Sequence, residues 1–394
     1  MNETYDIAII GGGLMGSATA YFLATHADFQ GRIVVLERDR SYRQSASALS
    51  TSGFRQQFST PVNIRLSQFS IEFIRQADEF LSVDGESPGI APVEAGYLYL
   101  GGPESVTAFT ENNRLQRALG VNAILLDSAE LKQRFPWLNV DDVAIGSLGL
   151  SGEGWMDGYL FMNAFRRKAQ SLGVNYRYDA VSKLATTDSG THHLALADGS
   201  VLAARQVVIA AGTHSPQIAQ MMGIELPVAP VKQTVFTFES PFSVGKSPFI
   251  FTPDGLFFRP EGKEYLVGRS IGHQPKPVDP QDFTVDYSVF DEDIWPKLAY
   301  RVAGFEQLRL RSAWAGHYDM SLYDHNPFIG AVAGVPDVFL ACGFSGHGLM
   351  QSPGVGRALA ELIVHGEYRS LDLSELGYQR LFDQTAPKTE QIQY

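Results

Sequence analysis

A chain of 394 residues is long enough for roughly two to three domains and a sizeable core. Its 44% hydrophobic and 19% charged residues exclude wholesale disorder. The formal charge of -12, with basic residues confined to short clusters such as Arg38, Arg40 and Arg43, excludes the basic stripe that nucleic-acid binding requires.

The single cysteine, Cys342, excludes an intramolecular disulfide and any cysteine-based zinc or iron–sulfur site, and no metal is expected. The first apolar run, Ile7 to Ile10, has no basic region before it and does not read as an export signal. No run reaches the roughly 18 consecutive apolar residues of a membrane-spanning helix, so a cytoplasmic protein without a membrane span is expected.

In chain order, residues 5–37 read as a βαβ unit: an apolar run, glycines, a helical stretch from Leu14 to Thr25, then a β-branched run ending at Glu37. Leu66, Phe69, Phe73, Ile74, Ala77, Phe80 and Leu81 recur at three- and four-residue steps and predict a helix with one apolar face. Residues 83–150 hold short strands such as Gly96 to Leu100 and a helix near Ser128 to Arg134. A helix near Tyr159 to Leu172 follows, and the run Val207 to Gly212 returns to the buried parallel-sheet pattern. Residues 226–320 alternate as an antiparallel sheet does and are rich in proline. Val338 to Ala341, a glycine turn and a helix from Pro353 to His365 close the chain.

The chain thus visits a nucleotide-type layer three times. The expected architecture is α/β, a Rossmann-like layer (1–82, 141–222 and 321–394) interleaved with a mainly antiparallel substrate layer (83–140 and 223–320).

Gly11-x-Gly13-x-x-Gly16 lies directly after the first strand and opens the first helix, the context in which glycines allow a pyrophosphate to approach free helix N–H groups. Glu37, at the end of the second strand, can accept hydrogen bonds from ribose hydroxyls and repels a 2′-phosphate. The spacing of 26 from Gly11 to Glu37 exceeds the usual ~20, and the turn from Asp28 to Gly31 absorbs the excess. At this point NAD and FAD are both open.

Ala341 to Gly348 (ACGFSGHG) precedes the helix containing Pro353-Gly354-Val355-Gly356-Arg357. Together with the first glycine turn, Glu37 and Val208 to Ser215, these residues resemble FAD-dependent oxidoreductases of the D-amino acid oxidase and sarcosine oxidase type. Ser45 to Phe58 (SASALSTSGFRQQF), Phe258-Arg259-Pro260 and Gly268-Arg269-Ser270 carry a closer similarity. It is to the branch holding sarcosine and dimethylglycine dehydrogenases and a mitochondrial assembly factor with a FAD-dependent oxidoreductase domain.

The resemblance implies that FAD is bound non-covalently by Gly11, Gly13, Leu14, Met15, Gly16, Glu37 and Arg38. It adds Ser45 and Ser47 beside the pyrophosphate, Val181 near the adenine, Gly212 near the phosphates, and Gly346, His347, Gly348, Leu349 and Met350 along the flavin edge. It places Arg55 as the anchor of a substrate carboxylate, with a structural pair or support of the flavin loop as the alternative. His317 and Tyr318 would line the substrate cavity, and the ring of His347 is either catalytic or incidental to a backbone role. Arg259 and Arg269 have a weaker claim to the pocket.

Met350 and Leu266 stand where sarcosine oxidases carry lysines, and Gly316 where they carry the cysteine that tethers flavin. The implied activity is FAD-dependent oxidation of an amine, a secondary or N-methylated amino acid, with imine hydrolysis. An electron-transfer protein or quinone is the expected acceptor. A flavin-binding scaffold with little turnover is the second reading and a NAD-linked dehydrogenase the third.

Overall fold

The computed structural model describes residues 3–272, 275–383 and 388–392. The chain runs β1 (Glu3–Ile10), α1 (Leu14–Thr25), β2 (Ile33–Leu36), β3 (Gly53–Phe54), α2 (Pro61–Arg75), α3 (Ala77–Leu81), β4 (Tyr97–Gly101), α4 (Val106–Ala118), β5 (Ala123–Leu126), α5 (Ser128–Arg134), β6 (Ile145–Gly149) and β7 (Gly154–Trp155). It continues through α6 (Gly158–Ser171), β8 (Asn175–Arg177), β9 (Val181–Thr186), β10 (His192–Leu196), β11 (Val201–Ile209), α7 (Ser215–Gln220), β12 (Val228–Glu239), β13 (Phe249–Phe251), β14 (Leu256–Glu261) and β15 (Glu264–Arg269). The last elements are α8 (Trp295–Arg301), β16 (Arg309–Ser321), β17 (Phe328–Ala331), β18 (Val338–Cys342) and α9 (Gly348–His365).

The first sheet has the order β17-β18-β11-β1-β2-β8, with β18, β11, β1, β2 and β8 mutually parallel. Its central strands are continuous apolar runs because both faces are covered. Ile7 and Ile9 face a core shared with α1, α6 and α9, while Ala8 and Ile10 face a second core on the other side. Burying each such isoleucine contributes roughly 1.5–3 kcal/mol.

Parallel β-strands feed α1 and α9, which pack closely because Gly356 lacks a side chain: a Cβ there would lie 2.8 Å from the backbone carbon of Ala18. A larger residue at 356 would drive the two helices apart.

The second sheet, β16-β12-β15-β14-β13-β4-β6-β5, is antiparallel except for the pair β13 and β4. It buries Phe236, Phe238, Phe258 and Leu298 on its outer face. The mixed α/β architecture of two interleaved sheets is as expected, with two differences.

β6 pairs with β4 and β5 in the second sheet, although a division at 141 assigned it to the nucleotide layer. Its short apolar run, Ile145 to Gly149, carries no local mark of which sheet it joins; pairing partners decide it.

α9 begins at Gly348, five residues before the expected start, and takes Pro353 into its second turn. Proline there removes one N–H, and the Leu349 carbonyl left without it accepts from Ser352 Oγ at 3.0 Å, so the helix passes through. Consequently its N-terminus reaches the cavity between the two sheets. Among the described residues no helix is long and apolar enough to cross a membrane.

Candidate functional site

A cavity of about 380 Å3 lies at the carboxyl ends of β1, β2 and β11, and strands β12 and β16 of the second sheet wall its far side. Such crevices at strand ends are where open α/β sheets take ligands.

The turn after β1 has its shape because two glycines have no room for a side chain. Gly11 has φ +106°, and a Cβ on it would lie 2.3 Å from the Ala210 carbonyl; a Cβ on Gly16 would lie 1.9 Å from the Gly11 carbonyl. Gly13, by contrast, has nothing within 4 Å of its Cβ direction and opens onto the cavity.

Neither α1, capped by Gly13, nor α9, capped by His347, has a side-chain N-cap. Their first N–H groups are therefore left for a ligand, and the positive ends of two helix dipoles meet one cavity. These are the features an elongated anionic dinucleotide requires, and the residues present fit FAD.

Glu37 stands at the rim with one carboxylate oxygen accepting from Gly12 N and the other from Asp39 N, both at 2.8 Å. Burial raises its pKa, against those two hydrogen bonds. Each oxygen keeps a lone pair for a hydroxyl donor.

Arg38 donates to Nε2 of His214 at 2.8 Å, and burial followed by the charge of Arg38 pushes His214 down to about 4. The imidazole is thus a neutral acceptor that holds the guanidinium at the cavity wall. Leu14, Met15, Ser45, Ser47, Val181, Gly212, Gly346, Gly348 and Leu349 line the same cavity.

Gly16 and Met350 support the lining from behind; Met350 is buried in the helical core. Four further expected residues stand elsewhere than the cavity wall. The ring of His347 packs edge-on against Phe58, centroids 5.0 Å apart, and burial holds its pKa well below the ordinary value. A charged, proton-shuttling role for His347 does not suit that surrounding, whereas its backbone starts α9.

Arg55 is fully buried. Its Nη2 donates to the Ile392 carbonyl at 2.8 Å, Nη1 donates to the Gln57 carbonyl, and the guanidinium lies 3.8 Å from the centroid of Phe58. Arg259 is buried against Thr51 and Trp155, and Arg269 pairs with Asp293 on the surface.

His317 and Tyr318 line the cavity from β16. His317 Nε2 lies 2.9 Å from the Asp282 carbonyl, which assigns the proton to Nε2 and leaves Nδ1 as an acceptor. Burial lowers its pKa.

Two buried carboxylates beside the candidate site had no signal in the sequence. Asp319, next along β16, accepts from Gly343 N at 2.8 Å while its own carbonyl accepts from Ser345 N at 3.0 Å. It thereby fixes the turn that launches α9. Burial pushes its carboxyl up to about 6. Glu153, fully buried, accepts from Gln56 N and Gln57 N at 2.8 and 2.9 Å and from Gln57 Nε2 at 2.8 Å, and burial pushes it up to about 7. It holds the loop that carries Arg55. In a sequence, both read as ordinary acidic residues; only their long-range partners distinguish them.

A family model described as FAD dependent oxidoreductase matches residues 6–362. FAD-dependent oxidoreductase domain-containing protein 1 of Xenopus laevis is 38% identical over 417 residues, covering 97% of this chain and 83% of that protein. Mitochondrial sarcosine dehydrogenase of Mus musculus is 26% identical over 386 residues, covering 92% of this chain and 40% of that protein. Among solved structures, L-proline dehydrogenase from P. horikoshii superposes with a TM-score of 0.85 at 26% identity, over 97% of this chain and 99% of that chain.

Proposed function

The chain belongs to the FAD-dependent oxidoreductase family, with FAD as its cofactor, and from that premise we propose that it oxidises an amine, specifically a secondary or N-methylated amino acid. The observation that carries an enzymatic reading is the convergence of two uncapped helix N-termini on one cavity walled by β16. The substrate class rests on the relatives: sarcosine and L-proline, named for two of them, are both secondary amino acids.

Gly13, Leu14 and Met15 would hold the pyrophosphate, Glu37 a ribose, and Gly346, Gly348 and Leu349 the flavin edge. When bound, FAD supplies a two-electron acceptor for a hydride equivalent from the α or N-methyl carbon, and water hydrolyses the resulting imine. The remaining work falls to the chain itself. His317, neutral and with Nδ1 free to accept, orients an amine N–H at the cavity wall, and Tyr318 shapes the space beside it. Asp319 keeps the α9 turn in place. The first sheet carries cofactor and the second sheet substrate in this arrangement.

Glu153 fixes the loop that bears Arg55, whose guanidinium donates to the Gln57 and Ile392 carbonyls away from the cavity lining, so the carboxylate anchor expected there is not part of this proposal. The cavity lining holds no lysine among the described residues, and Leu266 is buried in the sheet. No ammonium group there is positioned to stabilise superoxide, which favours a protein or quinone acceptor over oxygen. The scaffold alternative is not adopted, because the matched family and the cavity both speak for turnover.

The test is steady-state reduction of 2,6-dichlorophenolindophenol with sarcosine, L-proline, N,N-dimethylglycine and dimethylamine. Turnover with the amino acids supports the proposal; turnover with none of them overturns it.

A further inference from the structure

The C-terminal ends of α1 and α9 bring together three side chains that lie outside the cavity lining and take no part in the proposed reaction. α1 stops at Thr25 with His26 as its C-cap. The next turn is closed by Phe29 N donating to the His26 carbonyl at 3.0 Å, which leaves Asp28 beside the His26 ring. α9 ends at His365, where Gly366 takes φ +75° and turns the chain away. Because Gly356 lets the two helices pack closely, His365 arrives against His26, with ring centroids 4.9 Å apart and planes at 63°.

Among the described residues, His26, Asp28 and His365 each offer a ligand atom, and these atoms all lie within 4.8 Å of one another. His365 Nε2 and Asp28 Oδ2 stand 3.8 Å apart. That is too far for a hydrogen bond and close to the ~3.4 Å that separates two ligands of one tetrahedral ion. The His365 side chain is 10% exposed and held in place, whereas that of Asp28, 67% exposed, can swing the remaining distance. The contact to be given up is the Asp28 N–H donation to His26 Nδ1, which is 3.2 Å long and open to solvent.

Helix C-termini carry partial negative charge, so two of them meeting at one point favour a cation. Two imidazoles and one carboxylate are the donor set of a borderline divalent ion such as zinc, with water in the fourth position. The single, buried cysteine excludes thiolate sites only.

We propose that His26, Asp28 and His365 bind a divalent ion of the zinc type that staples α1 to α9. The site lies about 18 Å along α1 from Gly13, so the ion is structural. It ties together, at their far ends, the two helices whose N-termini face the cofactor cavity. The staple holds whether or not the substrate is an amine.

The experiment is calorimetric titration of chelator-treated, desalted holoenzyme with zinc chloride, in the wild type, His26→Ala, His365→Ala, Asp28→Asn and His193→Ala. His193 is exposed on β10 and serves as the control for scattered surface histidines. The wild type should take one zinc ion per chain with a Kd of about 1 µM. Removing either clustered histidine should weaken binding by about 100-fold or more, and Asp28→Asn by about ten-fold. His193→Ala should bind as the wild type does. Excess zinc should also raise the thermal unfolding midpoint of the wild type and leave that of His365→Ala unmoved. Should the alanine variants fail to fold, Asp28→Asn, changed at an exposed position, carries the test alone. Zinc binding weaker than about 100 µM in the wild type, or equal affinity in the wild type and every folded variant of the cluster, overturns the proposal.

Discussion

Gly13→Ala separates cofactor binding from folding more cleanly than any other change at the glycine turn. Gly13 has φ -62° and ψ -171°, a conformation alanine adopts without strain, and its Cβ would meet no atom of the chain within 4 Å. Two small effects on stability oppose each other. Loss of a glycine N-cap to alanine costs about 0.5–1 kcal/mol, and reduced freedom of the unfolded chain returns about 0.4–1 kcal/mol. The apoprotein should unfold within about 0.5 kcal/mol of the wild type.

The added methyl group projects into the cavity where the pyrophosphate must approach the first N–H groups of α1. Losing one charge-assisted hydrogen bond there costs ~1.5–3 kcal/mol, or ~10- to 150-fold in Kd. Urea unfolding of the apoprotein and titration of the same protein with FAD, followed by flavin fluorescence, measure the two quantities. Gly16→Ala is the contrasting control, since its Cβ would lie 1.9 Å from the Gly11 carbonyl and the turn itself must move. Unchanged FAD affinity in Gly13→Ala would refute the placement of the cofactor on this turn.

Asp319 and Glu153 predict a pH dependence of stability. Burial raises their folded pKa values to about 6 and about 7 from 3.8 and 4.5. The folded state therefore binds these protons more tightly than the unfolded one, so their contribution is full below about pH 4 and is lost as pH rises through the folded values, by on the order of 3 kcal/mol each. Asp319→Asn and Glu153→Gln should each flatten the fall in urea-unfolding stability between pH 4 and 8; identical slopes in wild type and both variants would contradict this. Acid precipitation should release all of the flavin, because Gly316 offers no thiol and Cys342 is fully buried; yellow colour remaining in the pellet would disprove non-covalent binding. Reduced enzyme mixed with air-saturated buffer should reoxidise more slowly than it turns over with a dye acceptor, and oxidation at the turnover rate would make oxygen the acceptor.

The parts of the fold legible in the sequence are those written in local pattern. The glycine turn, Glu37 after a β-branched run and the final glycine segment each declare themselves within about ten residues, and all of them come to the cavity. The start of α9 was hidden because Pro353 reads as a helix boundary, and its rescue by Ser352 Oγ is a side-chain detail. β6 was assigned to the wrong layer because a five-residue apolar strand does not name its neighbours.

Arg55 was marked by the resemblance as a candidate carboxylate anchor, but neither its burial nor its partners were legible. Ile392 lies 337 positions away, and nothing near Arg55 announces that contact. The same holds for Asp319 and Glu153, whose burial follows from strands that meet only in three dimensions.

Substrate oxidation is the claim on which the rest depends, and it is tested most directly by anaerobic addition of sarcosine or L-proline to the purified, oxidised holoenzyme. Loss of the flavin absorbance near 450 nm, with one equivalent of imine-derived product per flavin, is the expected result. A spectrum that stays oxidised with both amino acids at high concentration, in protein that dithionite still reduces, would contradict it.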